Sequence, residues 1–304
     1  MPLTISTVYG ISCAMAAFLW AITHRNDQRV GKVFHSVLGI TVMYGWIFPA
    51  LLRVENYLTP WKFDPMLNAL DGALGLSVLT FSNSLPRWLW IVFAVIYKSL
   101  LWMITFWGWL HLKRPRGTFR ALVAAFVTSY VIAGFLYLIV PACGPAYVPI
   151  SIFQNKSFWP MLLQGEPNAM PSMHVASALM LVLFAGESRW LRAISILFLA
   201  GTACGTVLGE HYFVDWAGAV PLACFAESLG RGEKRRAVTY LAITLAWLLL
   251  IRLAGPAMIR YPITLWIAVV AMLAIGVDAV NRAWRYCSKV NDERELIPDQ
   301  RLAA

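Results

Sequence analysis

Residues 121–141 read ALVAAFVTSYVIAGFLYLIVP, a run of 21 residues with no Asp, Glu, Lys or Arg. As a helix rising about 1.5 Å per residue it would extend roughly 30 Å, the thickness of a bilayer's hydrocarbon core. In lipid a backbone must satisfy its own polar groups, and a helix does so within one segment. Eight further stretches have the same character, at about 3–23, 33–52, 86–111, 171–187, 193–209, 211–229, 237–254 and 262–281. The composition agrees: 60% of the 304 residues are hydrophobic and 13% are charged, including 14 Trp and 16 Phe. A soluble domain carries roughly 25% charged residues, so soluble and disordered classes are excluded. The expected fold is all-α, a polytopic integral membrane helical bundle of nine transmembrane helices. The first stretch opens Met1-Pro2-Leu3 with no basic flank and reads as a retained helix rather than a signal peptide.

The net charge is +10. In a soluble chain that excess would suggest nucleic acid. Here 18 of the 25 Lys and Arg fall in alternate loops, among them Arg25, Lys113, Arg192, Arg236 and Arg285. Basic loops mark the cytoplasmic side, so the expected orientation is N-outside and C-inside, with no nucleic-acid partner. The organisation expected is N-terminal helices over 1–63, a catalytic core over 64–230, two helices over 231–285 and a cytoplasmic tail over 286–304. Between spans, residues 53–85 suggest a short interfacial helix on the outer side, its apolar spacing broken by Asp71 and Gly72. Residues 142–170 form a long outer loop broken by Gly144, Pro145, Pro149, Pro160, Gly165 and Pro167. The five cysteines are scattered, without metal-binding spacing, and read as small packing residues.

Chemistry concentrates in two short strings. One is Asn168-Ala169-Met170-Pro171-Ser172-Met173-His174-Val175-Ala176, and the other is Gly209-Glu210-His211-Tyr212-Phe213-Val214-Asp215-Trp216-Ala217-Gly218. Both begin spans at the outer side, so they share a membrane depth. His211 and Asp215 are four apart and share a helix face. The carboxylate is expected to hold one ring nitrogen and leave the other lone pair outward. Pro171 suits a first helical turn, whose free N–H groups suit an anionic oxygen.

Pro171-Ser172-x-His174 followed by His211-x-x-x-Asp215 resembles the type 2 phosphatidic acid phosphatase superfamily. The fuller strings look most like its inositol phosphorylceramide synthase branch, with Gly144-Pro145-Ala146-Tyr147 matching that branch's outer loop. The resemblance implies a membrane enzyme that moves a phosphoryl or phospho-headgroup from a lipid through a phosphohistidine to water or an alcohol. His211 would be the nucleophile, Asp215 its orienting carboxylate and His174 the general acid and base, with no metal or other cofactor. Lipid phosphate or phospholipid would be the substrate and an alcohol or sphingolipid a possible acceptor, at the non-cytoplasmic face of a cell (inner) membrane. The expected substrate-binding set is Ser172, Gly144, Pro145, Tyr147, Tyr212 and Arg260. Many relatives carry a Ser-Arg pair before the second His, where this chain has Cys204 and Gly205. Lys113-Arg114-Pro115 resembles part of another basic motif but falls on the cytoplasmic side by the charge rule.

Two other classes fit parts of this pattern. His174, His211 and Asp215 have the composition of a two-His-one-carboxylate metal site, and a His/Asp group also serves proton-coupled transporters. Against the second, the residues lie at one interface rather than at mid-membrane, and no internal repeat is visible. Glu210 reads as solvated. Lys98 and Arg252, inside spans, mark either a polar cavity or side chains snorkelling to an interface.

Overall fold

The computed structural model describes residue 39 and residues 47–112, 116–154, 158–163, 165–186 and 188–295. Among the described residues twelve α-helices follow in order: α1 Phe48–Leu58, α2 Asp64–Ala73, α3 Val78–Ser84, α4 Arg87–Lys98, α5 Leu100–Leu112, α6 Arg116–Tyr137, α7 Ile150–Gln154, α8 Met173–Leu183, α9 Arg189–Cys204, α10 Val214–Gly230, α11 Lys234–Arg260 and α12 Pro262–Glu295. Single 3-10 turns occupy Pro145–Tyr147 and Gly205–Leu208. Two short strands, β1 Trp61–Lys62 and β2 Met161–Leu162, pair antiparallel and tie the segment before α2 to the long loop.

The decisive run at 121–141 becomes most of α6, which ends at Tyr137. Among the described residues four helices are long and apolar enough to cross a membrane: Thr118–Tyr137, Arg189–Leu208, Lys234–Arg260 and Pro262–Arg285. A fifth exists if α4 and α5, bent by 43°, are one span. The bend falls at Ser99, whose hydroxyl donates to the Ile96 carbonyl at 2.8 Å, a local bond that competes with the helical ladder. The stretches at 171–187 and 211–229 give shorter helices of 11 and 17 residues: 171–172 and 211–213 lie outside the helices at the site, and α8 also ends early, at Leu183. The stretch at 3–23 lies outside the described residues, as does 33–52 except for residues 39 and 47–52. The expected tail boundary at 285 falls inside α12, which runs on to Glu295.

Helix α10 is the centre, packed against α6, α8, α11 and α12. Its sequence explains the position: Ala217, Gly218, Ala219, Ala223 and Ala226 keep it narrow, and it is buried on all sides. Small residues let neighbouring backbones approach, the usual basis of helix packing in membranes. At Gly218 a Cβ would meet Trp247 at 3.1 Å and Pro171 at 3.3 Å, so this position holds both α11 and the turn before α8 close to α10.

Helix α2 corrects the sequence reading. It is an interior helix: Leu67 and Leu70 have no exposure, and Asp64 and Asp71 are as buried as they are. The helix continues through Asp71 and Gly72 to Ala73. A carboxylate in such a place needs hydrogen-bond donors, and both find them at the site.

Candidate active site

His174 is the second residue of α8, a helix capped by Ser172, whose Oγ accepts from the Val175 N–H at 3.3 Å. Ser172 Oγ therefore caps the helix end, with its hydroxyl proton left to donate elsewhere. His211 lies in the loop before α10. Its Nε2 is 3.4 Å from His174 Nδ1, so the structure brings the two motifs together.

The partner of the other His211 nitrogen differs from expectation. Nδ1 lies 2.8 Å from the Ala169 carbonyl oxygen and 3.6 Å from Asp215 Oδ2. A carbonyl only accepts, so Nδ1 carries a proton, and the tautomer that fits this contact has its lone pair on Nε2. Asp215 is a close negative charge more than a hydrogen-bond partner. Its Oδ2 accepts the Tyr212 N–H at 2.8 Å, and its buried Oδ1 has no hydrogen-bond partner among the described residues.

Tyr97, at the end of α4, was not foreseen. Its hydroxyl is 2.9 Å from His174 Nδ1 and its ring stacks on the imidazole, with centroids 3.9 Å apart and planes 17° apart. Nothing in the sequence separates it from an interfacial tyrosine. At 3.4 Å the facing nitrogens leave no room for a phosphorus atom directly between them. Catalytic contacts commonly reorganise on loading.

The loops carrying the histidines hang from α2. Asp64 accepts the Cys143 N–H (3.1 and 3.0 Å to its two oxygens), the Gly144 N–H at 2.9 Å and the Tyr212 hydroxyl at 2.9 Å. Asp71 accepts the Phe213 and Val214 N–H groups, both at 2.9 Å, at the positive end of α10. Burial pushes both carboxyls above their ordinary range, and these backbone donors pull the other way. Two acids seven apart on one face of an apolar helix were the available signal.

Gly144 has φ 99°, and a Cβ there would run into the Glu210 carbonyl. Glycine is thus needed both for the left-handed backbone and for the close approach to the loop that carries His211. The Ala146 N–H closes the contact by donating to the Gly209 carbonyl at 2.8 Å. Pro145 is buried at the start of this turn, while Tyr147 donates its hydroxyl to Glu210 Oε2 at 2.9 Å. Lys98 sits 3.3 Å from the other Glu210 oxygen. Glu210 is therefore no simple solvated residue, and Lys98 lies at the break between α4 and α5, beside the site.

A cavity of about 170 Å³ opens on the histidines. Glu166, Asn168 and Glu210 line its polar part, and Phe48, Leu52, Tyr130 and Tyr137 from α1 and α6 form an apolar wall. Buried Asn168 Oδ1 has no hydrogen-bond partner among the described residues. Two expected binding residues are not brought here as expected: Tyr212 spends its hydroxyl on Asp64, and Arg260 is exposed at the end of α11 with its guanidinium over Tyr261. Arg252 instead donates to the Ile139 carbonyl at 2.6 Å. Among the described residues no group of three His, Cys, Asp or Glu side chains is arranged to hold a metal ion.

A family model described as the PAP2 superfamily matches residues 66–229, more than half of the chain and inclusive of both histidines and Asp215. No curated protein and no solved structure matches. With its long apolar helices and this match, the chain is a membrane protein that belongs to the PAP2 superfamily, whose members are typically phosphatases or phosphotransferases.

Proposed function

We propose that the protein transfers a phosphoryl or phospho-headgroup from a lipid to water or an alcohol through a phosphohistidine on His211. One observation carries the reading: His211 holds its Nδ1 on a backbone carbonyl and turns its Nε2 toward His174 in a cavity with one polar and one apolar side. An oriented neutral imidazole is a nucleophile. The Nε2 lone pair attacks phosphorus, the N–P bond forms and the P–O bond to the departing group breaks. The electron pair leaves with that oxygen, and His174 supplies its proton. The acceptor's oxygen then attacks phosphorus as the N–P bond breaks, and His174 recovers a proton from it. Water as acceptor gives a phosphatase, and an alcohol gives a phosphotransferase. Asp215 stabilises the positive ring that forms when His211 is phosphorylated.

The match of Gly144-Pro145-Ala146-Tyr147 and the two longer His strings supports an inositol phosphorylceramide synthase-like member of the superfamily. Loop charge supports a nine-span chain, N-outside and C-inside, with the reaction at the outer face. No group in the scheme calls for a metal. The test is purified full-length protein with radiolabelled lipid phosphates and candidate alcohols, with and without His211→Ala and with and without chelator. Expected are acid-labile label on the wild-type chain, none on His211→Ala, and no effect of chelator. Turnover that His211→Ala retains, or that metal restores after chelation, would sink the scheme.

A further inference from the structure

At the end of the bundle away from the histidines, an open recess of about 500 Å³ is lined by Arg192 of α9 and by Asn281, Trp284 and Arg285 of α12. Helix α9 starts at this end and runs 16 residues, about 24 Å, before the turn that leads to His211. The recess and the candidate active site are therefore separate. The Arg192 guanidinium lies 4.6 Å from the Trp284 ring centroid, and its Nε donates to the Gly186 carbonyl at 2.7 Å. Trp284 donates its indole N–H to the Val182 carbonyl at 3.2 Å. The pair bridges α9 and α12 while satisfying carbonyls at the end of α8. Arg285 is exposed at the same recess, its Nε donating to the Asn281 carbonyl at 3.3 Å.

Charge and shape both point to a ligand. Nearby arginines at this end are matched to carboxylates: Arg231 to Glu227, Arg236 to Glu233 and Arg282 to Asp278. The recess differs, holding two arginines and, among the described residues, no Asp or Glu. The carbonyl and the indole beside Arg192 are neutral and leave its charge uncompensated. From the recess an exposed apolar stripe runs back along both helices. On α12, Val270, Leu273 and Val277 precede Asn281 at helical spacing, and on α9 Ile196 follows Arg192 by one turn.

We propose that this recess binds the headgroup phosphate of an anionic phospholipid whose acyl chains lie along α9 and α12, a lipid that is held rather than turned over. Basic pockets between spans seat such headgroups. Arg192 and Arg285 supply positive charge in a form that suits phosphate oxygens. Asn281 adds an amide, and Trp284 an amphipathic ring of the kind that sits at headgroup level. A free phosphate ion would use the arginines alone and leave the apolar stripe uncovered. The proposal goes beyond the phosphohistidine reading and does not depend on it.

The experiment titrates the full chain in detergent with dioctanoyl phosphatidylglycerol, or with the phosphatidylcholine of the same chains, and reads bound lipid by native mass spectrometry. Lipid seated at the histidines is common to all the proteins compared, so the quantity read is the change in Kd from wild type. Wild type is expected to bind the anionic lipid at least roughly tenfold more tightly than the zwitterionic one. Arg192→Gln/Arg285→Gln should weaken the anionic lipid about thirtyfold, the scale of two basic residues beside a headgroup. Because Arg192 also holds the Gly186 carbonyl, Arg285→Gln alone is the second variant, with an expected loss of about fivefold. Lys234→Gln/Arg235→Gln removes two exposed cations from the same end and should leave Kd close to wild type. Inorganic phosphate should displace the lipid no better than chloride of equal ionic strength. Equal wild-type affinity for the two lipids, or an unchanged Kd in Arg285→Gln and in the double variant, would overturn the proposal. So would an equal loss in Lys234→Gln/Arg235→Gln, which would mean diffuse attraction, or specific displacement by phosphate, which would mean an ion site.

Discussion

The Nδ1 proton of His211 is held by the main-chain oxygen of Ala169, 42 residues earlier in the chain, at 2.8 Å. A backbone carbonyl cannot be removed by substitution, so the tautomer of His211 is set by the fold. The string around the first histidine thus contributes to the second motif through its backbone.

Asp215→Asn should therefore be milder than a carboxylate replacement that also scrambles the ring's tautomer. With Ala169 still in place, kcat is expected to fall on the order of tenfold to a hundredfold through lost charge stabilisation, with KM little changed. His211→Ala should abolish phosphoenzyme formation altogether. Steady-state kinetics beside trapping of the labelled enzyme separates the two, and equal losses would mean that Asp215 does more than stabilise charge.

Tyr97→Phe removes a hydroxyl that lies 2.9 Å from His174 Nδ1 while keeping the stacked ring. His174, the proposed general acid, then loses a hydrogen-bonding neighbour on Nδ1. A modest loss in kcat, roughly threefold to tenfold, is expected with a displaced pH–rate profile. An unshifted profile would show that the hydroxyl is not coupled to the proton held by His174.

Asp71→Asn keeps one carbonyl oxygen for the Phe213 and Val214 N–H groups, where the carboxylate offered two. The second side-chain position becomes an NH₂ donor facing a donor. A buried group left unsatisfied costs roughly 1–3 kcal/mol, so a lower Tm is expected together with lower kcat. Asp71→Glu, with both oxygens, should recover more activity than Asp71→Asn. If Asp71→Asn matches wild type in both measurements, α2 is not the support the geometry indicates.

Glu55, in α1, is buried, and its Oε2 has no hydrogen-bond partner among the described residues. Burial pushes its carboxyl up to about 7, against the opposing pull of Lys62. A carboxyl that binds its proton more tightly when folded stabilises the fold below its unfolded value near 4.5, and that contribution is lost as pH rises through about 7. Wild-type Tm should thus fall from about pH 5 to about pH 8 by more than that of Glu55→Gln. Parallel pH dependences in the two proteins would exclude Glu55 as the source.

The sequence revealed what local pattern encodes. Apolar runs located α6, α11 and α12, and helix spacing put His211 and Asp215 side by side. Two motifs expected at one depth meet at 3.4 Å. What it concealed depends on partners far along the chain. Asp71 looked like an interruption of an amphipathic face because its donors lie 142 and 143 residues away. Glu210 looked solvated because Lys98 and Tyr147 come from two other segments. Hydropathy also counted 171–172 and 211–213 as helix, although they form turns that aim the histidines. Arg260 was chosen for its sign and side alone, and those do not determine reach.

The shortness of α8 bears on how a substrate is handled. Eleven residues rise about 16 Å, roughly half the depth of a hydrocarbon core of about 30 Å. His174 is the second residue of this helix, and the cavity it borders has a polar side and an apolar wall. Under the proposed function, a lipid rests its tails against Phe48, Leu52, Tyr130 and Tyr137 and offers only its headgroup to the histidines. The costly step of lifting a greasy molecule into water is then avoided.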